Sequence, residues 1–574
     1  MDVLPQLRNA LERLRRSENQ LSIVLSLVIG ALVGLVVVAF ILLTGRLAAR
    51  MYPPGGAGWR RILVPTLGSL GTGYLLWRYF PWARGSGIPQ TKFALFIDEG
   101  RITLRTVVGK FLCCSATLAS GIALGREGPS AHIGAGLASV IGRNLGLSRA
   151  QVKSLVPVGC SAALAAAFNT PIAGVLFSME EIMGDLHAPV IGTAVLSSAT
   201  SWMVLHLVLG DAPLFHVAPY HLVHPVEFAV YVVLGVVGGL GSVCFTKLLL
   251  KLRAWFAQLP RRGVWMQPAI GGLAVGLMGY FVPEVLGVGY NQVEKVLNGD
   301  LVLQFVALLA VLKIVATAVC YSSGNAGGIF GPSLFIGAMM GGTVGSIAHR
   351  FLPAYTAGPG AYALVGMGTA FAGIVRTPMT SVIMIFEMTR DYTIIVPLMI
   401  SNLTAFFISQ RLQKDPIYEA LAHQDGVHLP KAESRSSHGT QVADLMRPPA
   451  IVLSSDAEVA SALARIQDNA HEKSMNAWPV ADSNGLRGMV RRADLVRAAA
   501  DGQTGVRLTD LNGFSDLPHL HPDHSLNQAL ERMGKTNLQV LPVVSRANTR
   551  ELLGIVVIDD VLSAYGVRTS GGTE

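Results

Sequence analysis

The sequence predicts an all-α polytopic membrane bundle of two related halves with broken helices, followed by a C-terminal soluble α/β pair. Three observations predict it. Of 574 residues, 51% are hydrophobic and only 14% charged, with a mean hydropathy of +0.48, whereas soluble domains run about 25% charged. Apolar runs are interrupted by glycine and proline rather than by polar loops. Two motifs recur in the same order with nearly the same separation.

In chain order, residues 1–20 form a basic segment with Arg8, Arg13, Arg15 and Arg16 ahead of the first span. Positive charge beside a span predicts a cytoplasmic N-terminus. The run "LSIVLSLVIGALVGLVVVAFILLTG" from Leu21 is long enough to cross about 30 Å of hydrocarbon. It is also too long for the apolar core of a signal peptide. The net charge of +9 is therefore read as topology, with no nucleic-acid partner expected. Cys113, Cys114, Cys160, Cys244 and Cys320 all lie in apolar segments without a C-x-x-C pair. They are expected to be buried packing residues, with no metal site or cofactor.

The membrane domain is placed at 21–423. Its breaks are "GSGIP" at 85, "GREGP" at 125, "NTPIAG" at 169, "GGIFGP" at 327 and "RTPMT" at 376. Broken helices at membrane depth are tolerated where backbone is buried in protein or lines a wet cavity, and they mark ion or substrate paths. "GPSAHIGA" from 128 matches "GPSLFIGA" from 331 at six of eight positions, an offset of 203 (331 − 128). "TPIAGVLFSME" from Thr170 matches "TPMTSVIMIFE" from Thr377, each with a glutamate nine residues after the proline, Glu180 and Glu387.

Composition turns polar near 413–426, predicting a linker at 424–440 and two soluble units at 441–500 and 501–568, with a tail at 569–574. "WPVADSNGLRGMVRRADLV" from Trp478 parallels "LPVVSRANTRELLGIVVIDDVL" from Leu541. In each, an aspartate follows a strand glycine by six residues, Asp494 and Asp560, and is expected to cap the next helix.

Between Val107 and Met183 the only acidic residues are Glu127, Glu180 and Glu181. A carboxylate at membrane depth is costly and is read as functional by default. A neutralised Arg126–Glu127 pair is the plainer alternative, but adjacent helical residues do not face each other. A Gly-Pro break before a helix exposes backbone N–H groups and the positive end of the helix dipole, an anion site. Glu127 among such helix starts would compete with an anion when charged and leave when protonated. Glu180 and Glu181 have an alternative as helix-end caps facing water, which suits Glu180 because Glu387 occupies the matching repeat position. An enzyme of the H-E-x-x-H type is excluded, since His471-Glu472 is followed by Met475.

"GSGIP", "GREGP" and "GGIFGP" in this order, followed by the tyrosine of "PIYEAL", resemble the CLC chloride channel and transporter family, and the soluble pair resembles tandem CBS domains. The resemblance covers the chain from its first spans to about His423. It implies an inverted repeat and a homodimer in a lipid bilayer, in a bacterial inner membrane, with the CBS pair cytoplasmic. It implies that Ser86 and Tyr418 face a central chloride completed by the amides of Ile329 and Phe330, beside Gly331. It places Gly85 and Ser86 amides at an inner site and Arg126, Glu127 and Gly128 at an outer site, with Glu127 as the gating and proton glutamate. Glu181 matches the internal proton relay of proton-exchanging members. Serine at 86 matches chloride over nitrate or fluoride. The resemblance therefore implies a chloride/proton antiporter, the alternative being a passive gated chloride channel. Arg491 and Val557 stand where nucleotide-binding CBS domains carry a hydroxyl, so that pattern is broken although Asp494 and Asp560 remain.

Overall fold

Glycine turns divide the first 424 residues into helices of very unequal length. The computed structural model describes residues 18–186, 190–211, 213–215, 217, 220–260, 263–427, 441–468, 475–511 and 518–565. The N-terminal arginines, most of the linker, His471-Glu472 and the tail lie outside them. The chain splits into two units, Met1–Gln424 and Asp425–Glu574.

In the first unit, among the described residues, seven helical stretches are long and apolar enough to cross a membrane. The first apolar run becomes the helix Glu18–Met51, and Glu227–Ala257 is nearly as long at 31 residues. At 1.5 Å per residue both exceed the hydrocarbon thickness, which a tilt accommodates. Others are short, as Ile88–Phe96, Pro171–Phe177 and Pro378–Thr389. Four cysteines are buried, whereas Cys244 is exposed on Glu227–Ala257, and all five are free thiols. The burial expected of Cys244 is thus corrected: apolar neighbours in a spanning helix say nothing about which face meets lipid.

The sequence repeat is a structural one. Glu127–Asn144 packs on Arg149–Phe168, and Phe330–Phe351 packs on Pro359–Val375. In each pair two backbones touch. A β-carbon on Gly134 would lie 2.3 Å from the Gly159 carbonyl oxygen, and one on Gly337 would lie 2.2 Å from that of Gly366. Only glycine permits such an approach. The second helix of each pair ends on a left-handed residue, Asn169 (φ 62°) or Arg376 (φ 67°), just before a Thr-Pro pair that starts the next helix.

The two halves also cap each other. Glu180 accepts from the Thr380 amide at 2.8 Å and hydroxyl at 2.7 Å, at the start of Pro378–Thr389. Glu387 accepts from the amides of Ile172 at 3.0 Å and Ala173 at 2.7 Å, at the start of Pro171–Phe177. Each carboxylate thus meets the positive end of a helix in the opposite half, satisfying orphan N–H groups. Glu180 has the architectural role of a cap.

The second unit holds two small sheets. Leu453–Ser454 runs parallel to Ala477–Asp482, which pairs antiparallel with Gly485–Arg491. Val540–Val544 pairs antiparallel with Leu552–Val557, and Leu520 bridges parallel to Val543 in the place of the first strand. One hydrophobic core, with Trp478, Val480, Leu541 and Val543 buried, serves both. Asp494 and Asp560 are not caps. Their helices, Arg492–Ala500 and Ile558–Ala564, leave the strands two residues earlier, so each aspartate lies inside the first turn, where it favours the helix dipole. His521 is buried, bonded through Nδ1 to the Val544 carbonyl at 2.9 Å, and His524 Nδ1 accepts the His521 amide. Burial, opposed only by that carbonyl and Asp523 and reinforced by Arg546 and His519, pushes His521 down to about 4. Burial with Arg532 and Arg546 also pushes His524 down.

Two outcomes follow from these contacts. Gly337→Leu forces the Gly366 backbone away, and the midpoint of thermal unfolding in detergent falls by an amount corresponding to about 1–3 kcal/mol of overpacking. Below pH 6.5 the unfolded chain binds a proton that folded His521 refuses, so the second unit loses stability as pH falls towards 4. Hydrogen exchange of the 540–544 amides in the full chain, corrected for intrinsic rate, should show a loss on the order of 2 kcal/mol between pH 7 and pH 5.

Candidate functional site

Three broken helices begin at nearly one place. Gly125 and Gly328, from opposite halves, exchange two hydrogen bonds, each amide donating to the other's carbonyl at 2.7 Å. Gly85 forms a parallel bridge with Ala326. A β-carbon on Gly128 would sit 2.7 Å from the Ser86 carbonyl oxygen. Hence the turns before Ile88–Phe96, Glu127–Asn144 and Phe330–Phe351 are in mutual contact, which brings together Gly85, Ser86, Arg126, Glu127, Gly128, Ile329, Phe330 and Gly331. The last two helices have no side-chain cap. Their leading N–H groups and dipoles point into the junction, an arrangement that favours negative charge. The Phe330 ring is withdrawn into a cluster with Phe168 at 4.6 Å and Phe371 at 4.3 Å, leaving its backbone at the helix start.

Tyr418 lies on Ile417–Gln424, which packs against Ile88–Phe96. The Ser86 and Tyr418 hydroxyls are both fully buried, and among the described residues neither has a hydrogen-bond partner. Leaving a buried hydroxyl unsatisfied costs about 1–3 kcal/mol, so each such group calls for an explanation.

Glu127 is fully buried. Its Oε2 accepts from the Gly331 amide at 3.2 Å and its Oε1 from the Tyr290 hydroxyl. The carboxylate therefore occupies a helix start of the other half, in the manner of an anion. Arg126 Nε approaches Oε1 only to 4.0 Å. The adjacent guanidinium comes nearer than helical spacing alone implies, because Arg126 stands at the cap position rather than within the helix.

Glu181 lies on a π-helical turn, Ser178–Met183, a local widening frequent at functional sites. It is not free: Lys92 donates to its Oε1 at 2.8 Å, with both side chains almost fully buried. Tyr418 is close enough to feel the charges of both Glu127 and Glu181.

Sequence reasoning missed Tyr290, Lys92 and a pair of buried lysines. Lys110 donates to the carbonyls of Arg84 at 3.2 Å and Gly85 at 2.9 Å, and Lys313 to those of Val285 at 3.0 Å and Gly287 at 2.6 Å. They are 203 residues apart, the offset of the repeat (313 − 110). The signal was available in that spacing. Each ammonium faces the backbone carbonyls of a glycine turn.

In the second unit Arg447 Nε lies 3.5 Å from Asp560. Among the described residues no cluster of three or more His, Cys, Asp or Glu is placed to hold a metal ion.

Helix starts from two related halves, meeting around buried hydroxyls and a carboxylate in an apolar bundle, define a membrane transport protein of the broken-helix type. The chain belongs to the voltage gated chloride channel family, whose profile matches residues 68–410, and it carries two CBS domains, matched at 442–501 and 513–566. It is 33% identical over 385 residues to a protein of Ralstonia nicotianae carrying a ClcB-like chloride channel name, covering 66% of this chain and 89% of that one. It is 33% identical over 375 residues to the H(+)/Cl(−) exchange transporter ClcA of Salmonella arizonae, covering 63% and 79%. Among solved structures, a slow cyanobacterial Cl−/H+ antiporter aligns with a TM-score of 0.65 at 25% identity, covering 70% of this chain and 97% of that one.

Proposed function

We propose that this protein exchanges chloride for protons across a membrane, with Glu127 as the gate in the anion path and Glu181 as the internal proton relay. The observation that carries the reading is the pair of buried, unpartnered hydroxyls of Ser86 and Tyr418 beside three converging helix starts. A chloride there would accept from both hydroxyls and from the Ile329 and Phe330 amides, next to Gly331. The Gly85 and Ser86 amides would hold an inner ion, and those of Arg126, Glu127 and Gly128 an outer one. Several weak dipoles bind an anion and still release it, as conduction requires.

The chemistry then follows from one competition. As a carboxylate, Glu127 takes the anion's place at Gly331. Protonated, it has no claim on that helix start, and chloride moves in. Protons reach it from Glu181, a buried carboxyl paired with Lys92. The Salmonella relative and the cyanobacterial structure, both exchangers by name, support proton coupling. The Ralstonia name favours the second reading, a gated channel of the same family. We further infer a homodimer in a bacterial inner membrane, a transport domain at 21–423, and a cytoplasmic pair of CBS units at 441–500 and 501–568.

Proteoliposomes loaded with chloride test the reading. An outward chloride gradient should drive proton uptake in the native protein. Glu181→Gln should cut proton flux at least tenfold while chloride efflux persists, and Glu127→Gln should abolish both proton coupling and the pH response of chloride flux. Chloride movement without proton uptake in the native protein would leave the channel reading in place.

A further inference from the structure

The second half contains a counterpart of the Ser86 turn that sequence matching did not find. "GVGYNQ" at 287–292 aligns with "GSGIPQ" at 85–90, an offset of 202 (287 − 85). Gly85 and Gly87 have φ of 78° and 100°, and Gly287 and Gly289 have φ of 65° and 88°. Each turn leads into a short helix, Ile88–Phe96 or Tyr290–Leu297, and each is tied down by a buried lysine, Lys110 or Lys313. The matching position to Ser86 is Val288, which offers no hydroxyl. Two residues on, where the first half has Ile88, the second has Tyr290, and its hydroxyl meets Glu127.

We propose that Tyr290 is a positioning residue that latches the ionised Glu127 side chain in the anion path. This rests on the gating role given above to Glu127. The latch is rigid. The Tyr290 ring stands edge-on to Phe215 at 5.7 Å, and the Arg126 guanidinium lies over it at 5.5 Å. Two donors, the Tyr290 hydroxyl and the Gly331 amide, thus hold the two carboxylate oxygens from the half opposite to the one that bears Glu127. A hydrogen bond donated to a carboxylate favours the ionised form. Protonation removes the negative charge both donors favour, so the latch holds the shut state alone. The other charged or titratable groups around this carboxylate are Arg126 at 4.0 Å and Tyr418 from Ile417–Gln424. Lys313, from Leu303–Ser322, spends its ammonium on the Val285 and Gly287 carbonyls.

The test is chloride efflux from proteoliposomes as a function of pH, for the native chain, Tyr290→Phe, Glu127→Gln and the double variant. Phenylalanine keeps the ring packing and removes only the donor. The pH of half-maximal efflux should move upward by about one unit, tenfold in proton activity, with more efflux at neutral pH. In the Glu127→Gln background Tyr290→Phe should change nothing further, the non-additivity expected of a contacting pair. Replacing Tyr290 with 3-fluorotyrosine, a more acidic donor that preserves the fold, should move the midpoint the opposite way. A Tyr290→Phe profile that superimposes on the native one, or an equal shift in the Glu127→Gln background, overturns the latch. If Glu127→Gln itself leaves the pH profile unchanged, the gating role fails first and the latch falls with it.

Discussion

The backbone governs this molecule more than any side chain does. Inside an apolar bundle, every N–H and C=O freed by a broken helix must find a partner or a ligand. Gly125 and Gly328 solve part of this by bonding to each other across the two halves. What remains unpaired is concentrated at adjacent helix starts, where partial positive charge accumulates in a medium of low polarisability. The anion binding proposed for the site would thus be a by-product of where the helices stop, with Ser86 and Tyr418 adding two hydroxyls.

The rest of the bundle holds that junction in register. Glu180 and Glu387 each stitch one half to a helix start of the other. Gly134 with Gly159, and Gly337 with Gly366, let paired helices approach to backbone contact. Lys110 and Lys313 fasten the two G-x-G turns by their carbonyls. Three separate devices obey the same two-half relation. The Glu127 carboxylate of one half is consequently met by donors from the other, so the two halves are mutually incomplete.

Much of this was legible in the residues, for physical reasons. Glycine-proline breaks inside apolar runs mark helix starts, and the 203-residue offset is readable because the same motif stands at the break in each half. Glu127 stood out because carboxylates are rare at membrane depth. Tyr290 did not, since a tyrosine in an apolar sequence is ordinary and "GVGYNQ" shares only three of six residues with "GSGIPQ". Lys92 was hidden for a similar reason: its partner Glu181 is 89 residues away, and pairing is decided by tertiary packing. Asp494 and Asp560 misled because a helix that leaves a strand directly starts before its aspartate, and sequence places such boundaries poorly.

The reciprocal bonds between Gly125 and Gly328 constrain how the two halves could move in the proposed exchange cycle. They join the turns of opposite halves where the helix starts meet, and the crossed caps of Glu180 and Glu387 add further ties between the halves. Rocking one half against the other would sever these ties, among them the buried bonds between Gly125 and Gly328. The scaffold is accordingly a stator. In the proposed exchange cycle, exposure to one side or the other would then fall to single side chains moving against fixed walls rather than to a rearrangement of domains.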